Sequence, residues 1–441
     1  MQDLEPNNKI DFVIEKIKER PINKKKLLRR TVLTASMAVM FGLIACFTFL
    51  ILEPVISNSL YPQEEPPKQF IFPEDEEEMK PEEMLSGNKE DDQEDISSSA
   101  SDKKKRQEIL AAMDYYQWDI ADYDKMYSAL GEFAIELKDY LVTVTARESS
   151  GDWLDDANSS KTRCSGLVVG NNGKEVLILT NYNQIKSADS LWITFFDGYR
   201  VEADLKQKHN SSDIAILSVN IVDMGEHIRQ VKIAPLGTSN VESYLLRPVI
   251  AIGKTVGTED SVHYGFITSE KNEVDIIDAN FEVLITDIYG SSMGSGFLFN
   301  LKGQMIGMIT SKKPSSDVRN QITAFEIGDL KRLISRLSNG YGVPSVGIIG
   351  TMVSEEIHQD GNVPYGIYIK DVVMNSPAMK AGIQPGDVVV AVNDKPINNF
   401  RDYFNPIVDL ESNTTIELTI KRFSVNHFKE IRFQIVLGKA E

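Results

Sequence analysis

A serine hydroxyl becomes a nucleophile when an imidazole takes its proton and a buried carboxylate holds that imidazole in place. Between residues 177 and 300 this chain offers the carboxylate and the hydroxyls but not the imidazole. Ser291, Ser292 and Ser295 lie in the glycine-bearing loop Ser291-Ser292-Met293-Gly294-Ser295-Gly296, followed by Phe297-Leu298. Asp213 opens the apolar run Ile214-Ala215-Ile216-Leu217, and the earlier segment Ile178-Leu179-Thr180-Asn181-Tyr182-Asn183-Gln184-Ile185 contains no histidine. An amide such as that of Asn183 has no useful basicity near neutral pH and cannot take a proton from a serine. His209 lies four residues before Asp213 in a polar turn and reads as a surface residue, whereas His227 and His263 fall in other segments. No cofactor-binding or metal-ligating pattern is read in the chain.

The elements that would position these residues are short β-branched runs at 141–145, 166–170, 176–181, 190–196, 214–219, 248–252, 282–287, 296–299 and 304–310. Asn171-Asn172-Gly173 and Asp197-Gly198 punctuate them as turns. Many short strands at this spacing predict an all-β barrel or sandwich. Before them, residues 107–140 have helical composition with Ile109, Leu110, Met113, Tyr116 and Trp118 as apolar anchors, and Gly131 is expected to break the helix. After them, a helix is expected at 329–337, ended by Asn339-Gly340. A last unit of mixed strands and helices, 342–441, completes two globular domains.

Residues 31–52 carry no charge, and as a helix they would span ~33 Å, enough to cross a hydrocarbon core. Lys24, Lys25, Lys26, Arg29 and Arg30 precede the run and Glu53 follows it, which places residues 1–30 in the cytoplasm and the rest outside as a single-pass signal anchor. The formal net charge of −18 is concentrated in 64–95, including Glu74-Asp75-Glu76-Glu77-Glu78. This composition predicts a disordered acidic spacer over 53–105, and nothing in it suggests nucleic-acid binding. The two cysteines, Cys46 in the apolar run and Cys164 beyond it, cannot pair, which suits a bacterial envelope protein.

At these residues the chain resembles the high-temperature-requirement (HtrA/Deg) family of trypsin-fold serine proteases with PDZ domains. Thr180-Asn181-Tyr182-x-x-Ile185 resembles the family's T-N-x-H-V-I segment, and Asp213-Ile214-Ala215-Ile216-Leu217 its D-[IL]-A-[VL]-L segment. Ala251-Ile252-Gly253 and Gly265-Phe266-Ile267-Thr268-Ser269 resemble its A-I-G and G-I-V-S strands, and Thr286-Asp287 begins what would be its T-D…G-N-S-G-G-P-L loop. The resemblance implies a mostly β fold: a trypsin-like double β-barrel in 106–338, then an α+β PDZ domain in 342–441. It places Asn183 at the position of the catalytic histidine and Asp213 at that of the orienting aspartate. The nucleophile position stays open, because counting back from Leu298-Phe299-Asn300 gives Gly294 and counting forward from Thr286-Asp287 gives Ser295. Asp213 is expected to accept a hydrogen bond from the Asn183 amide. Loss of such a triad costs on the order of 10⁴ to 10⁶ in turnover.

The second half of the resemblance rests on Asn375-Ser376-Pro377-Ala378 followed by Ala381-Gly382-Ile383-Gln384-Pro385-Gly386-Asp387-Val388. Ser376 can cap a short helix that Gly382 ends, and Asn393-Asp394 can turn a hairpin. A PDZ domain adds a partner's C-terminal strand to a sheet edge and holds its carboxylate on backbone N–H groups. The matching loop is Ser345-Val346-Gly347-Ile348, with Phe400 and Phe404 of a helix over 398–410 as wall residues. The implied function is recognition of C-termini of envelope or misfolded proteins by an inactive, membrane-anchored scaffold, sensor or chaperone-like protein. Alternatives are an active serine endopeptidase in envelope quality control and a regulatory subunit of an active paralogue. The family also implies a homotrimer.

Overall fold

The computed structural model describes residues 24–60, 68–72, 119–148, 161–238, 242–361 and 363–440. The chain divides into two units at Pro66. In the first, the described residues form helix α1 (Lys24–Leu60), which contains the window Thr31–Thr48 with mean hydropathy 1.9, long and apolar enough to cross a membrane. It runs past residue 52, where the spacer was expected to begin. The residues before Lys24, expected to form most of a cytoplasmic tail, the expected helix anchors Ile109 to Trp118 and most of the expected spacer lie outside the described residues. One piece of that spacer is ordered in the second unit. Phe70 donates its N–H to Asn339 Oδ1 at 2.9 Å, and its carbonyl accepts from Ser335 Oγ and Asn339 Nδ2, both at 2.9 Å.

Among the described residues, the first regular element of the second unit is α2 (Ile120–Lys138), which Asp119 and Asp122 start with a capping box. The helix passes through Gly131 without interruption: a glycine on an exposed helix face weakens it by ~1 kcal/mol, less than the packing of Ala134 and Leu137 restores. Six strands follow and close into a barrel in the order β1-β2-β3-β6-β5-β4: β1 (Leu141–Arg147), β2 (Lys161–Asn171), β3 (Glu175–Asn181), β4 (Ser190–Phe195), β5 (Arg200–His209) and β6 (Ile214–Asn220). A second barrel closes as β10-β11-β12-β9-β8-β7, from β7 (Pro248–Lys254), β8 (Ser261–Ile276), β9 (Ala279–Tyr289), β10 (Ser295–Phe299), β11 (Met305–Ile309) and β12 (Gln321–Glu326). Closure removes exposed sheet edges.

The strands nearest the seam are apolar on both faces because each face has its own core. Along β3, Val176 and Ile178 fill the first barrel, while Leu177 and Leu179 join the cluster shared with the second barrel. On β7, Val249 and Ala251 fill the second barrel while Ile250 and Ile252 face that same shared cluster. The period of two survives, but it sorts apolar residues between two interiors rather than between core and water.

Helix α3 (Ile327–Ser338) leads to the last domain. Its strands are β13 (Pro344–Ser345), β14 (Ile348–Met352), β15 (Ile367–Val372), β16 (Val388–Val392), β17 (Lys395–Pro396), β18 (Thr415–Ser424), β19 (His427–Val436) and β20 (Gly438–Lys439). The main sheet runs β14-β15-β16-β18-β19, with β17 hairpinned onto β16 through Asn393 and Asp394, both left-handed at φ 48 and 62. Helix α4 (Pro377–Ala381) is capped by Ser376, whose hydroxyl accepts from Met379 N–H, and ended by Gly382 at φ 91. Helix α5 (Phe400–Val408) starts from a capping box of Asn399 and Asp402.

Candidate peptidase and peptide-binding sites

Asn181 ends β3, and a single 3₁₀ turn over Tyr182–Gln184 sets Asn183 above the first barrel. Asp213 sits in the turn before β6 at φ 61, a left-handed conformation that aspartate tolerates better than most residues. The two segments lock together: Tyr182 N–H donates to the Asp213 carbonyl at 3.1 Å, and Asn183 N–H donates to Asp213 Oδ1 at 2.5 Å. Asn181 Nδ2 donates to Asp213 Oδ2 at 3.4 Å and to the Ile309 carbonyl of the second barrel at 3.3 Å. Burial pushes the Asp213 carboxyl above its ordinary range, against the bonds from Asn183 and Asn181 and the charge of Lys312. Asn183 therefore donates to Asp213, and its side-chain amide offers a neighbouring serine no base.

His209 is buried, not a surface residue as its polar turn suggested. As the last residue of β5 it faces inward opposite Ile214, and its Nδ1 and Nε2 meet Ser212 Oγ at 2.8 Å and Ser211 Oγ at 3.0 Å. Burial lowers its pKa to about 4, so it is neutral at pH 7, yet both nitrogens are engaged. His227 stacks on Tyr199 with ring centroids 4.0 Å apart, on another part of the first barrel.

The serine loop reaches the first segment through Gln184 Nε2, which is 3.5 Å from the Met293 carbonyl. The two candidates for the nucleophile position differ sharply. Ser295 is fully buried at the start of β10; its Oγ accepts Ser165 N–H at 3.0 Å, while Ser165 Oγ accepts Lys254 N–H at 2.8 Å. This serine ties β10 to β2 across the barrels. Gly294 lies in the loop itself, and a Cβ built on it would stand 2.5 Å from the Thr255 carbonyl oxygen and 2.9 Å from that of Ser291. The loop also consumes its own donors: Ser291 N–H goes to Thr255 O at 3.1 Å, Gly294 N–H to Ser291 O at 2.9 Å, and Met293 N–H to Ser291 Oγ at 3.2 Å. N–H groups spent in this way do not hold an oxyanion.

In the last domain, Val346 and Ile348 are fully buried and Ser345 nearly so. Gly347 adopts φ 87, and a Cβ there would fall 2.2 Å from that of Ser376, so only glycine fits. Three successive N–H groups, of Val346, Gly347 and Ile348, converge on the carboxylate of Asp278 at 2.9, 2.9 and 3.0 Å. Asp278 belongs to the second barrel, at the tip of the β8–β9 hairpin. Phe400 and Phe404 line the same face of α5; the Phe404 ring meets Phe281 of β9 edge-on at 5.9 Å. Arg401 pairs with Asp329 at 2.9 Å and Glu326 at 3.5 Å. The sequence reading passed over Asp278, Tyr403 and Arg401; a lone aspartate in a hairpin turn carries no local signal of a partner 68 residues further on.

Residues 164–308 match the family described as trypsin-like peptidase domain, and residues 344–431 match the PDZ domain. A probable periplasmic serine endoprotease, DegP-like, of Buchnera aphidicola subsp. Schizaphis graminum is 27% identical over 266 residues, 58% of this chain and 53% of that protein. The serine protease Do-like HtrB of Bacillus subtilis is 28% identical over 256 residues, 54% of each chain. The chain thus spans about half the length of these two curated relatives. Among solved structures, an HtrA-type protease AlgW with decapeptide overlaps 69% of this chain and 97% of its own at 18% identity and a TM-score of 0.49. In the order and type of its domains, a trypsin-like peptidase domain followed by a PDZ domain, the chain is HtrA-like.

Proposed function

We propose that this HtrA-like protein is a pseudoprotease: it is anchored in the cell membrane by α1, presents both domains outside the cytoplasm and works by binding protein C-termini. The observation that carries the reading is the side chain at position 183: the main-chain N–H there donates to Asp213 at 2.5 Å as any residue's would, but the amide it carries cannot accept a serine proton. The two candidates for the nucleophile position support it: Gly294 has no side chain and no room for one, and Ser295 is buried with its Oγ bonded to the Ser165 N–H. The apolar character and basic flank of α1 support the anchor and its orientation. For the binding role the support is loop 345–348, whose N–H groups converge as a chain terminus requires. The partners in this reading are exposed C-termini of envelope or misfolded proteins, engaged as by a scaffold, sensor or chaperone.

The test is digestion of casein by the purified full chain in detergent. No fragments should appear above the buffer control. Cleavage that disappears in the Ser291→Ala or Ser292→Ala variant would overturn the pseudoprotease reading and make this chain an active endopeptidase.

A further inference from the structure

We infer that Asp278 is a built-in ligand of the PDZ domain: the tip of the β8–β9 hairpin occupies the carboxylate seat of loop 345–348, and a free C-terminus must displace it to bind. The inference rests on reading that loop as a carboxylate receptor and adds what already fills it.

A chain terminus takes two things from such a domain, a cluster of N–H groups for its carboxylate and a strand edge for its backbone. Asp278 takes both. Its carboxylate accepts the N–H groups of Val346, Gly347 and Ile348 at 2.9–3.0 Å, the Ser345 hydroxyl at 2.5 Å and the Tyr403 hydroxyl at 3.1 Å. Its own N–H donates to the Ile348 carbonyl at 2.7 Å, a main-chain bond of the kind an added strand makes. Ile276 and Ala279, which end β8 and begin β9 on either side of the turn, are buried in the apolar cluster that also includes Val346 and Ile348.

These donors are neutral amides and hydroxyls, the set that receives a carboxylate without a cation. Burial drives the Asp278 carboxyl pKa upward, and the bonds from Ser345, Ile348, Gly347 and Tyr403 oppose that shift. The turn does not require this charge. At φ 60 it asks only for a residue tolerant of the left-handed region, and glycine or asparagine serves equally well. Nor does domain docking depend on Asp278 alone, since Arg401–Asp329 at 2.9 Å, Lys370–Asp275 at 2.5 Å and Phe404 on Phe281 join the same two domains. Asp278 is thus the one contact in this interface with the chemistry of a peptide terminus.

The experiment compares the full chain with Asp278→Gly, which keeps the turn and removes the carboxylate, and Asp278→Asn, which keeps shape and removes the charge. Two quantities are read: hydrogen exchange of the Val346, Gly347 and Ile348 amides, and binding of fluorescent decapeptides ending in free-carboxylate Val, Leu or Phe beside their amidated forms. In Asp278→Gly those amides should lose protection at least tenfold. The free-carboxylate peptides should bind that variant at least tenfold more tightly than the unmodified chain, with Asp278→Asn between. Unchanged protection, or equal affinity for unmodified and variant chains, overturns the built-in ligand. Lost protection with no peptide binding to any of the three overturns instead the C-terminus reading of the preceding section, and the competition with it.

Discussion

Two glycine-bearing loops of this molecule are built to hold an anion by family resemblance, and they have gone opposite ways. In the loop at 291–294, the N–H groups of Ser291, Met293 and Gly294 point at neighbouring oxygens, and nothing negative sits among them. In the loop at 345–348, three consecutive N–H groups point at one carboxylate. Each site also has a buried aspartate in a left-handed turn, Asp213 at φ 61 and Asp278 at φ 60. Asp213 is held by a neighbouring turn of its own barrel, Asp278 by another domain. The contrast teaches that an anion site is recognised by where its donors aim, not by glycine content: one loop has collapsed onto itself and the other is preorganised.

The contrast breaks most severely at Gly347. Gly347→Ala forces a side chain into both a left-handed conformation and the Ser376 contact, and should destabilise the chain by about 4 kcal/mol, read from urea midpoints. The scaffold beneath the first site is tested by pH. His209 has a folded pKa of about 4 against 6.5 unfolded, so between those values the unfolded chain binds the extra proton. Its contribution is complete above pH 6.5, declines as the pH falls toward 4 and is then exhausted, a loss of about 3 kcal/mol. His209→Asn should flatten the stability profile in that window; an unchanged slope would mean that the buried neutral imidazole is wrongly placed.

Smaller effects sharpen the comparison. Tyr403→Phe removes one donor from Asp278 and should cost about 2 kcal/mol, the range of a hydrogen bond to a charged group, with the same change nearly neutral in an Asp278→Gly background. Ser295→Ala leaves the buried Ser165 N–H without its acceptor and should cost about 1 kcal/mol of stability, with no effect on casein. A serine acting as nucleophile would show the reverse pattern, activity lost and stability kept.

Much of the fold was legible because the sequence elements agree with their neighbours. The strands at 176–181 and 214–219 are apolar runs bounded by turns, and Ser376, Gly382 and Asn393-Asp394 are local signals that the structure uses as caps and turns. Strand β5 was missing from the apolar runs because half of Arg200–His209 is charged, with Val201, Ala203 and His209 its only buried side chains. Gly131 misled in the other direction, since tertiary packing outweighs one glycine. At the candidate site, the pairing of Asn183 with Asp213 was expected from the resemblance of their two segments to those of the HtrA/Deg family, and the two residues do meet. The choice between Gly294 and Ser295 needed the third dimension, because burial of Ser295 against Ser165 is a contact across 130 residues. Asp278 was invisible for the same reason: its partners lie in another domain.

The most direct test of the central claim is casein cleavage by the full chain carrying Asn183→His together with Gly294→Ser. No gain over the unmodified chain is expected, because a Cβ at position 294 meets the Thr255 carbonyl oxygen at 2.5 Å and the N–H groups of Ser291, Met293 and Gly294 already bond to neighbouring oxygens. A gain of about 10³-fold or more in the double variant, absent from either single substitution, would contradict it and mean that the loop reopens once a triad is restored.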